Sequence, residues 1–324
     1  MTQLRTDLLP ADPAGIATAA RLLRGGQLVA FPTETVYGLG ADAGNADAVA
    51  ALYAAKGRPA ENPLIVHLPD AAAAQPLARF PPHALRLAAA FWPGPLTLVL
   101  PRADSAALAP AVSAGRPTVA LRVPAHPLAQ ALLRAVRRPV AAPSANRSGK
   151  LSPTLAADAM AGLSGRIAAV IDGGACAIGL ESTIVAVDAA QLRLLRPGAI
   201  GADLLAEAAG APVTAAAQDP NAPVEAPGQL ATHYAPEAVL RLDVTAPDPG
   251  EVWVGFGPGC DGAALSLSDT GDLAEAAARL FATLRAADRL AAEGGGRIGV
   301  APVPDHHLGL AINDRLRRAA APRE

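Results

Sequence analysis

Several residue types are scarce in this sequence, and each scarcity excludes a class of protein. Its 324 residues include only two cysteines, Cys176 and Cys260, which form no CxxC pair. A disulfide framework or a cysteine-based zinc site is therefore not expected. No apolar run reaches the roughly 18 residues that a membrane-spanning helix needs. The net charge of −2 lacks the basic excess of a broad nucleic-acid surface, so we expect RNA binding to be weak at most.

Lysine is almost absent as well. Of the 27 Lys and Arg, two are Lys (Lys56 and Lys150) and the other 25 are Arg. Both lysines lie in polar segments described below, where a compact ammonium can be required, although chance retention is the alternative. Residues 1–10 lack the apolar core of a signal peptide, so we expect a cytoplasmic protein.

Short apolar strands alternate with helical segments between residues 16 and 200. This alternation predicts an α/β domain with a largely buried sheet over residues 1–205. Strands are expected at 28–31, 64–68, 96–100, 118–123, 140–142, 168–171, 183–187 and 192–196. Helices are expected after an Asp47 cap, at 83–91 and at 127–135.

The composition changes in the last third of the chain. Residues 206–238 are rich in proline and predict an extended linker, which can act as an active-site lid. Because Tyr234 lies there without an evident core, we hypothesise that it folds over a bound nucleotide. Strands at 251–255 and 297–301 with helices at 272–292 and 307–320 predict a smaller Rossmann-like α/β domain over 239–324.

Three polar segments adjoin predicted strands, where α/β proteins bind small ligands. The first, FPTETVYGLG at 31–40, also fits an ordinary turn with satisfied hydroxyls. In the second, KGRPAENP at 56–63, Lys56 and Arg58 can grip phosphate oxygens or merely complement a helix dipole. In the third, PSANRSGK at 143–150, small residues let backbone N–H groups approach phosphates, but the leading glycine of a P-loop is missing.

Alternation along two strands separates core positions from candidate ligand positions. The odd-numbered residues of strand 118–123 are apolar, so Thr118 and Arg122 share the opposite face. A buried Arg122 needs an anion, either from a ligand or from a protein carboxylate. His67 lies on the face of its strand opposite Leu64 and Leu68, where it either contacts a ligand or is a half-buried, hydrogen-bonded imidazole.

Eight segments together resemble the threonylcarbamoyl-AMP synthase family, the YrdC-like proteins, in its long two-domain form. They read FPTETVYGLG, KGRPAENPL, WPGPLT, ALRVP, PSANRSG, ESTIV, LRPG and PGQLATHYAP, over residues 31–236. The resemblance implies a twisted mixed sheet with flanking helices. It also implies synthesis of L-threonylcarbamoyl-adenylate from L-threonine, bicarbonate or CO2, and ATP, with release of pyrophosphate. The product would pass to a threonylcarbamoyl transferase complex that modifies tRNAs reading codons that begin with adenine.

The resemblance implies roles for individual residues. Threonine contacts are implied for Thr35, His67, Arg122, Ala142 and Ser182. ATP contacts are implied for Arg58, Asn62, Thr118, Ser144, Asn146, Ser152, Arg196 and Tyr234. Lys56 and Arg58 are the expected catalytic residues, which would neutralise charge together with Mg²⁺ on the ATP phosphates. Neither a protein-bound metal nor a tightly bound organic cofactor is expected.

Other functions stay open at this point. A double-stranded RNA or ribosome-associated factor is one, although the near-neutral charge disfavours it. The GFGPG run at 255–259 resembles a dinucleotide fingerprint, but Pro258 interrupts the turn and Cys260 replaces the last glycine. A carbamoyltransferase relative would carry acylphosphatase and zinc-finger modules that this sequence lacks. The adjacent His306 and His307 are a weak candidate metal pair.

Overall fold

The computed structural model describes residues 5–188, 191–215, 224–229, 233–294 and 296–322. Within these ranges the strands form a large mixed sheet and a small parallel sheet. None of the helices described in these ranges is long and apolar enough to cross a membrane.

The larger sheet has eleven strands among the described residues. They are β1 (Asp7–Pro10), β2 (Val29–Phe31), β3 (Gly38–Asp42), β4 (Ile65–His67), β5 (Leu96–Pro101), β6 (Thr118–Arg122), β7 (Val140–Ala141), β8 (Ala169–Asp172), β9 (Thr183–Val187), β10 (Leu192–Arg196) and β11 (Val213–Ala215). Their order is β1-β8-β2-β3-β7-β4-β6-β5-β9-β10-β11. Strand β4 is parallel to β6 but antiparallel to β7, so the sheet is mixed as expected.

The helices of this region connect the strands. They are α1 (Pro13–Arg24), α2 (Ala46–Lys56), α3 (Ala71–Ala74), α4 (Pro82–Phe91), α5 (Pro127–Val136), α6 (Ala156–Leu163) and α7 (Ala202–Ala209), with 3-10 turns at Gln75–Leu77 and Pro110–Ser113. The prediction that Asp47 caps α2 was wrong. The cap is Asn45, whose side chain accepts hydrogen bonds from the backbone N–H groups of Asp47 and Ala48 at 3.0 and 3.1 Å.

All eight strands predicted for the first domain are present, with ends that differ by one residue at most. Strands β1, β3 and β11 and helices α1, α3, α6 and α7 were not predicted. In β3 the glycines concealed the strand, and packing explains one of them. A Cβ atom on Gly40 would lie 3.0 Å from the Phe31 ring and 3.2 Å from the Val140 side chain, so a larger residue would crowd the side chains of β2 and β7.

The two faces of β6 have the predicted composition. Val119, Leu121 and Val123 belong to the main core of the larger sheet. Ala120 packs in a small separate cluster with Ile65 and other residues on the opposite face. Side chains on that opposite face therefore face away from the main core, and the candidate site lies there.

The C-terminal domain, as used below, comprises strands β12 (Val239–Arg241), β13 (Val252–Gly255), β14 (Leu265–Ser266) and β15 (Arg297–Val300) with helices α8 (Leu273–Glu293) and α9 (Leu308–Ala320). Its strands pair in parallel in the order β12-β15-β13-β14, which confirms the smaller Rossmann-like fold. A turn-rich loop after Gly255 leads to strand β14. Since a dinucleotide fingerprint opens a helix at that point, the structure does not support that alternative.

The predicted linker is only partly described, because residues 216–223 and 230–232 lie outside the described ranges. Helix α7 crosses residue 205, and β11 pairs with β10, so the larger sheet continues to Ala215. Division of the chain at residues 205 and 238 stays a prediction.

Candidate active site

A cavity opens beside β4, β6 and β9 on the face away from the main core. Nine of the residues predicted from the sequence line it: Thr35, Arg58, His67, Arg122, Ala142, Ser144, Ser182, Arg196 and Tyr234. They come from segments far apart in the chain, and the sheet order brings them together.

Arg122 lies in this cavity with a protein carboxylate as its partner. Its Nη2 donates to Glu34 Oε1 at 2.7 Å, and the side chains are only 4% and 11% exposed. The backbone N–H of Ala125 donates to Glu34 Oε2 at 3.1 Å. Burial raises the pKa of Glu34, but the charge and hydrogen bond of Arg122 outweigh it and hold this pKa below its ordinary value. The Glu34 carboxylate is therefore ionised at neutral pH.

His67 lies beside Arg122, because the two residues are register partners on β4 and β6. Its ring is buried, and Nδ1 lies 3.3 Å from the carbonyl oxygen of Ile65. Burial, with a smaller effect of the Arg122 charge, lowers the pKa of His67 to about 3. His67 thus both lines the cavity and is a hydrogen-bonded imidazole, buried rather than half-buried, and it is neutral at physiological pH.

Two threonine hydroxyls lie near this pair. Thr33 Oγ1 and Thr35 Oγ1 are 2.8 Å apart, and Thr33 Oγ1 donates to the carbonyl of Val36 at 2.7 Å. This local turn fixes the first polar segment after β2, so the ordinary-turn interpretation and the ligand interpretation are compatible.

Arg58 lines another part of the cavity and is held by its own loop. Its Nε donates to the Asn62 carbonyl at 3.0 Å, and its Nη2 donates to Asn62 Oδ1 and to the Pro63 carbonyl at 2.6 and 2.7 Å. Gly57, which ends α2 in the left-handed conformation at φ 60°, turns the chain into this loop. Burial lowers the pKa of Arg58 to about 10, so its guanidinium stays charged at neutral pH.

Lys56 lies behind the cavity wall. Its Nζ donates to the carbonyl oxygens of Ser144 and Asn146, both at 2.5 Å, and the residue is 2% exposed. Two carbonyls at this spacing suit a compact ammonium better than a planar guanidinium, which explains a lysine here in an arginine-rich chain. Lys56 therefore fixes the 144–146 loop and is not among the residues that line the cavity.

Arg196 and Ser182 form one wall together. Arg196 donates from Nε to the Ser182 carbonyl at 3.1 Å and from Nη2 to Ser182 Oγ at 3.2 Å. Ser182 Oγ also lies 2.7 Å from Thr97 Oγ1. Gly228 closes over this wall with φ 86°, and a Cβ atom there would lie 2.8 Å from Tyr234 Oη and 2.9 Å from Arg196 Cδ. Only glycine satisfies both the backbone angle and this close approach.

Two family models cover nearly the whole chain. Residues 21–198 match the model described as Telomere recombination, of the Sua5, YciO and YrdC proteins, and residues 189–321 match the Threonylcarbamoyl-AMP synthase C-terminal domain. The threonylcarbamoyl-AMP synthase of Bacillus subtilis is 43% identical over 98% of this chain and 96% of its own length. That of Pyrococcus abyssi is 39% identical over 94% of each chain.

The chain belongs to the threonylcarbamoyl-AMP synthase family. It is accordingly an enzyme, as the resemblance of its motifs predicted. The crystal structure of P. abyssi Sua5 complexed with L-threonine matches the fold with a TM-score of 0.89 at 38% identity, over 97% of this chain and 98% of that one. Escherichia coli YciO, at 20% identity and a TM-score of 0.54, shares the fold over 63% of this chain.

Five residues predicted for the site of this synthase family member lie outside the cavity lining: Lys56, Asn62, Thr118, Asn146 and Ser152. Asn62 orients Arg58, and Asn146 Nδ2 donates to the carbonyls of Arg147 and Lys150 at 2.8 and 2.7 Å. Ser152 Oγ donates to Glu181 Oε1 at 2.5 Å. Thr118 lies at the start of β6, four residues from Arg122, which is about 13 Å along a strand.

Several cavity residues were missed from the sequence. They are Thr33, Val36, Gly38, Ile65, Pro143, Glu181, Pro227, Gly228 and His233. Four of the nine (Val36, Pro143, Glu181 and His233) lie directly beside a predicted residue, so extending each assignment by one position would have found those four. Tyr234 was expected to have no core, but its buried ring packs on Phe281 of α8 at 5.6 Å and beside His233 at 4.0 Å.

Proposed function

We propose that this enzyme joins L-threonine, bicarbonate or CO2, and ATP into L-threonylcarbamoyl-adenylate and releases pyrophosphate. The observation that carries the proposal is one cavity lined by Arg122, His67 and the hydroxyls of Thr35 and Ser182, and also by two further arginines, Arg58 and Arg196. The family supports this reaction by its name, and the threonine complex of the P. abyssi relative supports threonine as a substrate.

The threonine would bind near the adjacent strands β4 and β6. Arg122 is the cation for its carboxylate, because a guanidinium pairs with carboxylates in a defined geometry. Thr35 and Ser182 offer hydroxyls for its side chain or amine, and neutral His67 adds no competing charge. Glu34 would then share Arg122 with the ligand.

The nucleotide would bind along Arg58 and Arg196. His233, which lines the cavity, has a buried Nδ1 without a hydrogen-bond partner among the described residues. Buried polar atoms are normally paired, so this unpaired atom supports a ligand with hydrogen-bonding groups of its own. A nucleotide has such groups.

In the proposed reaction, the threonine nitrogen forms a bond to the carbon of CO2 and loses a proton, which gives a carbamate. A carbamate oxygen then attacks the α-phosphorus of ATP, and the bond to the β-phosphate oxygen breaks, so that pyrophosphate leaves with the electron pair. The chain contributes alignment and charge neutralisation, for which Arg58 and Arg196 are placed. Lys56 contributes by holding the Ser144 loop that lines the cavity.

The carboxylates of the cavity do not fit a protein-held Mg²⁺. Glu34 is engaged by Arg122, and Glu181 accepts from both Arg315 and Ser152. Magnesium commonly takes carboxylate oxygens, waters and substrate phosphates as ligands. In our proposal Mg²⁺ therefore enters on the ATP phosphates as part of the substrate, and the adenylate product passes to a threonylcarbamoyl transferase complex for tRNA modification.

Pyrophosphate release tests the proposal. We expect release from ATP only when threonine and bicarbonate are both present. Arg58→Ala should lower the rate by about 10² to 10³, the usual loss for one charge-stabilising donor. Arg79→Ala, which removes an exposed arginine paired with Asp104, is the control and should retain full activity.

Two outcomes would contradict the proposed reaction. Release that does not depend on threonine would exclude the reaction, and full activity in Arg58→Ala would exclude the phosphate assignment. A thermal melt of each variant separates lost activity from lost folding.

A further inference from the structure

Arg315 extends from helix α9 of the C-terminal domain towards the cavity of the larger domain. It is 0% exposed and is the largest fully buried side chain among the described residues. Burying a guanidinium is costly unless anions and hydrogen-bond acceptors compensate it. Its partners therefore indicate why the position holds an arginine.

Two of those partners are direct sequence neighbours of cavity residues. Arg315 Nε donates to Glu181 Oε2 at 3.0 Å, and Arg315 Nη1 donates to the Pro197 carbonyl at 2.8 Å. Glu181 precedes Ser182, and Pro197 follows Arg196. One guanidinium thus ties together the two chain segments whose side chains form the Arg196 and Ser182 wall.

A third contact reaches the segment before the C-terminal domain. The guanidinium carbon of Arg315 lies 5.5 Å from the ring centroid of Tyr234, within the range of a cation–π contact. Asp314, the preceding residue on α9, accepts a further hydrogen bond from Arg315 Nη1 at 2.8 Å. Arg315 therefore contacts three parts of the chain that meet at the cavity.

The charge of Glu181 gives this contact a consequence for ligand binding. Glu181 lines the cavity near Arg196 and is buried. Burial raises the pKa of Glu181, but the charges of Arg315 and then Arg196 outweigh it and keep the pKa below its ordinary value. Without Arg315, this carboxylate would offset the charge of Arg196 and repel a polyphosphate.

We propose that Arg315 is a positioning residue for the nucleotide, supplied by the C-terminal domain. It compensates Glu181 and holds the Arg196 and Ser182 wall, so that the cavity keeps a net positive field for the ATP phosphates. This inference rests on the proposed function, since it assumes that the cavity binds ATP. It gives the C-terminal domain a task in the reaction beyond carrying its own fold.

The test compares steady-state pyrophosphate release by the full chain and by variants over a range of ATP concentrations. Arg315→Met should raise the KM for ATP by about tenfold or more, with a smaller change in kcat. Adding Glu181→Gln to it should return the KM to within about threefold of the unsubstituted enzyme, because the uncompensated charge is gone. Arg317→Met on the same helix, 60% exposed, is the matched control and should leave the KM unchanged.

If Arg315 had a merely structural role, Arg315→Met would melt at a lower temperature, and adding Glu181→Gln would not restore the KM for ATP. A KM for ATP in Arg315→Met equal to that of Arg317→Met would overturn the inference. Should Arg315→Met not melt cooperatively, Glu181→Gln alone decides. It removes a cavity anion, so the KM for ATP should stay equal or fall, and a tenfold rise would contradict the proposal. Absence of threonine-dependent release in the unsubstituted enzyme would instead refute the proposed function itself.

Discussion

Replacing Glu34 by Gln removes one charge from a buried ion pair and leaves the other in place. Arg122 Nε would still donate to the Gly94 carbonyl oxygen, but at 3.4 Å this is a long hydrogen bond. Breaking a buried pair from one side costs about 3–5 kcal/mol. Because the glutamine oxygen can still accept from Arg122, we expect the lower end, about 3 kcal/mol in the free energy of unfolding.

Thermal and urea unfolding measure this loss. At roughly 2–4 °C per kcal/mol for a domain of this size, Glu34→Gln should melt about 6–12 °C lower. Glu207→Gln, at an exposed position on α7, is the control and should change the stability by less than about 0.5 kcal/mol.

Two further measurements connect this loss to the site. Threonine should stabilise Glu34→Gln more than the unsubstituted enzyme, because its carboxylate would supply the anion that Arg122 has lost. The folded-state pKa of Glu34 lies below its ordinary value of 4.5. The unfolded chain therefore binds the proton more readily, so the pair contributes fully above pH 4.5 and its contribution falls as the pH drops through the folded-state value.

If Glu34→Gln lowered the free energy of unfolding by less than about 1 kcal/mol, the buried Arg122–Glu34 pair would not stabilise the fold as argued. A threonine-induced shift no larger than that of the unsubstituted enzyme would refute the assignment of Arg122 to the threonine carboxylate. The two results are independent, because the first concerns the Arg122–Glu34 ion pair and the second concerns the bound ligand.

Two other predictions concern the core and the imidazole. Leu98→Ala, at a fully buried position in the centre of β5, should lower the free energy of unfolding by about 2.7–5 kcal/mol in urea titrations, whereas Leu85→Ala at 48% exposure should change it little. His67, with a pKa of about 3 against an ordinary 6.5, should show no NMR titration between pH 5 and 8. Between pH 6.5 and 3 the unfolded chain binds a proton on His67 that the folded chain does not. The free energy of unfolding of the unsubstituted enzyme should therefore fall more steeply with decreasing pH in this range than that of His67→Gln. A ring that titrates near pH 6.5 would show that His67 is not buried in solution.

Local patterns predicted much of the fold. Strands β5, β6, β9 and β10 are recognisable because apolar β-branched and Leu residues repeat within a few positions. Strand β3 was not, since Gly38 and Gly40 have low strand propensity, and at Gly40 the Phe31 and Val140 side chains leave little room for a Cβ atom. Asn45 was missed as the cap because Asp47, two residues on, is an equally good candidate by residue type.

The sequence by itself determined the family, through eight ordered motifs, and the face on which Arg122 and His67 lie, because side-chain alternation along a strand is a property of neighbouring residues. Only the tertiary structure decided the partners of the charged groups. Arg122 meets Glu34 across 88 positions, Lys56 meets the Ser144 carbonyl across 88, and Arg315 meets Glu181 across 134. Such pairs depend on the order of strands in the sheet and on how the C-terminal domain packs, and no local pattern encodes either.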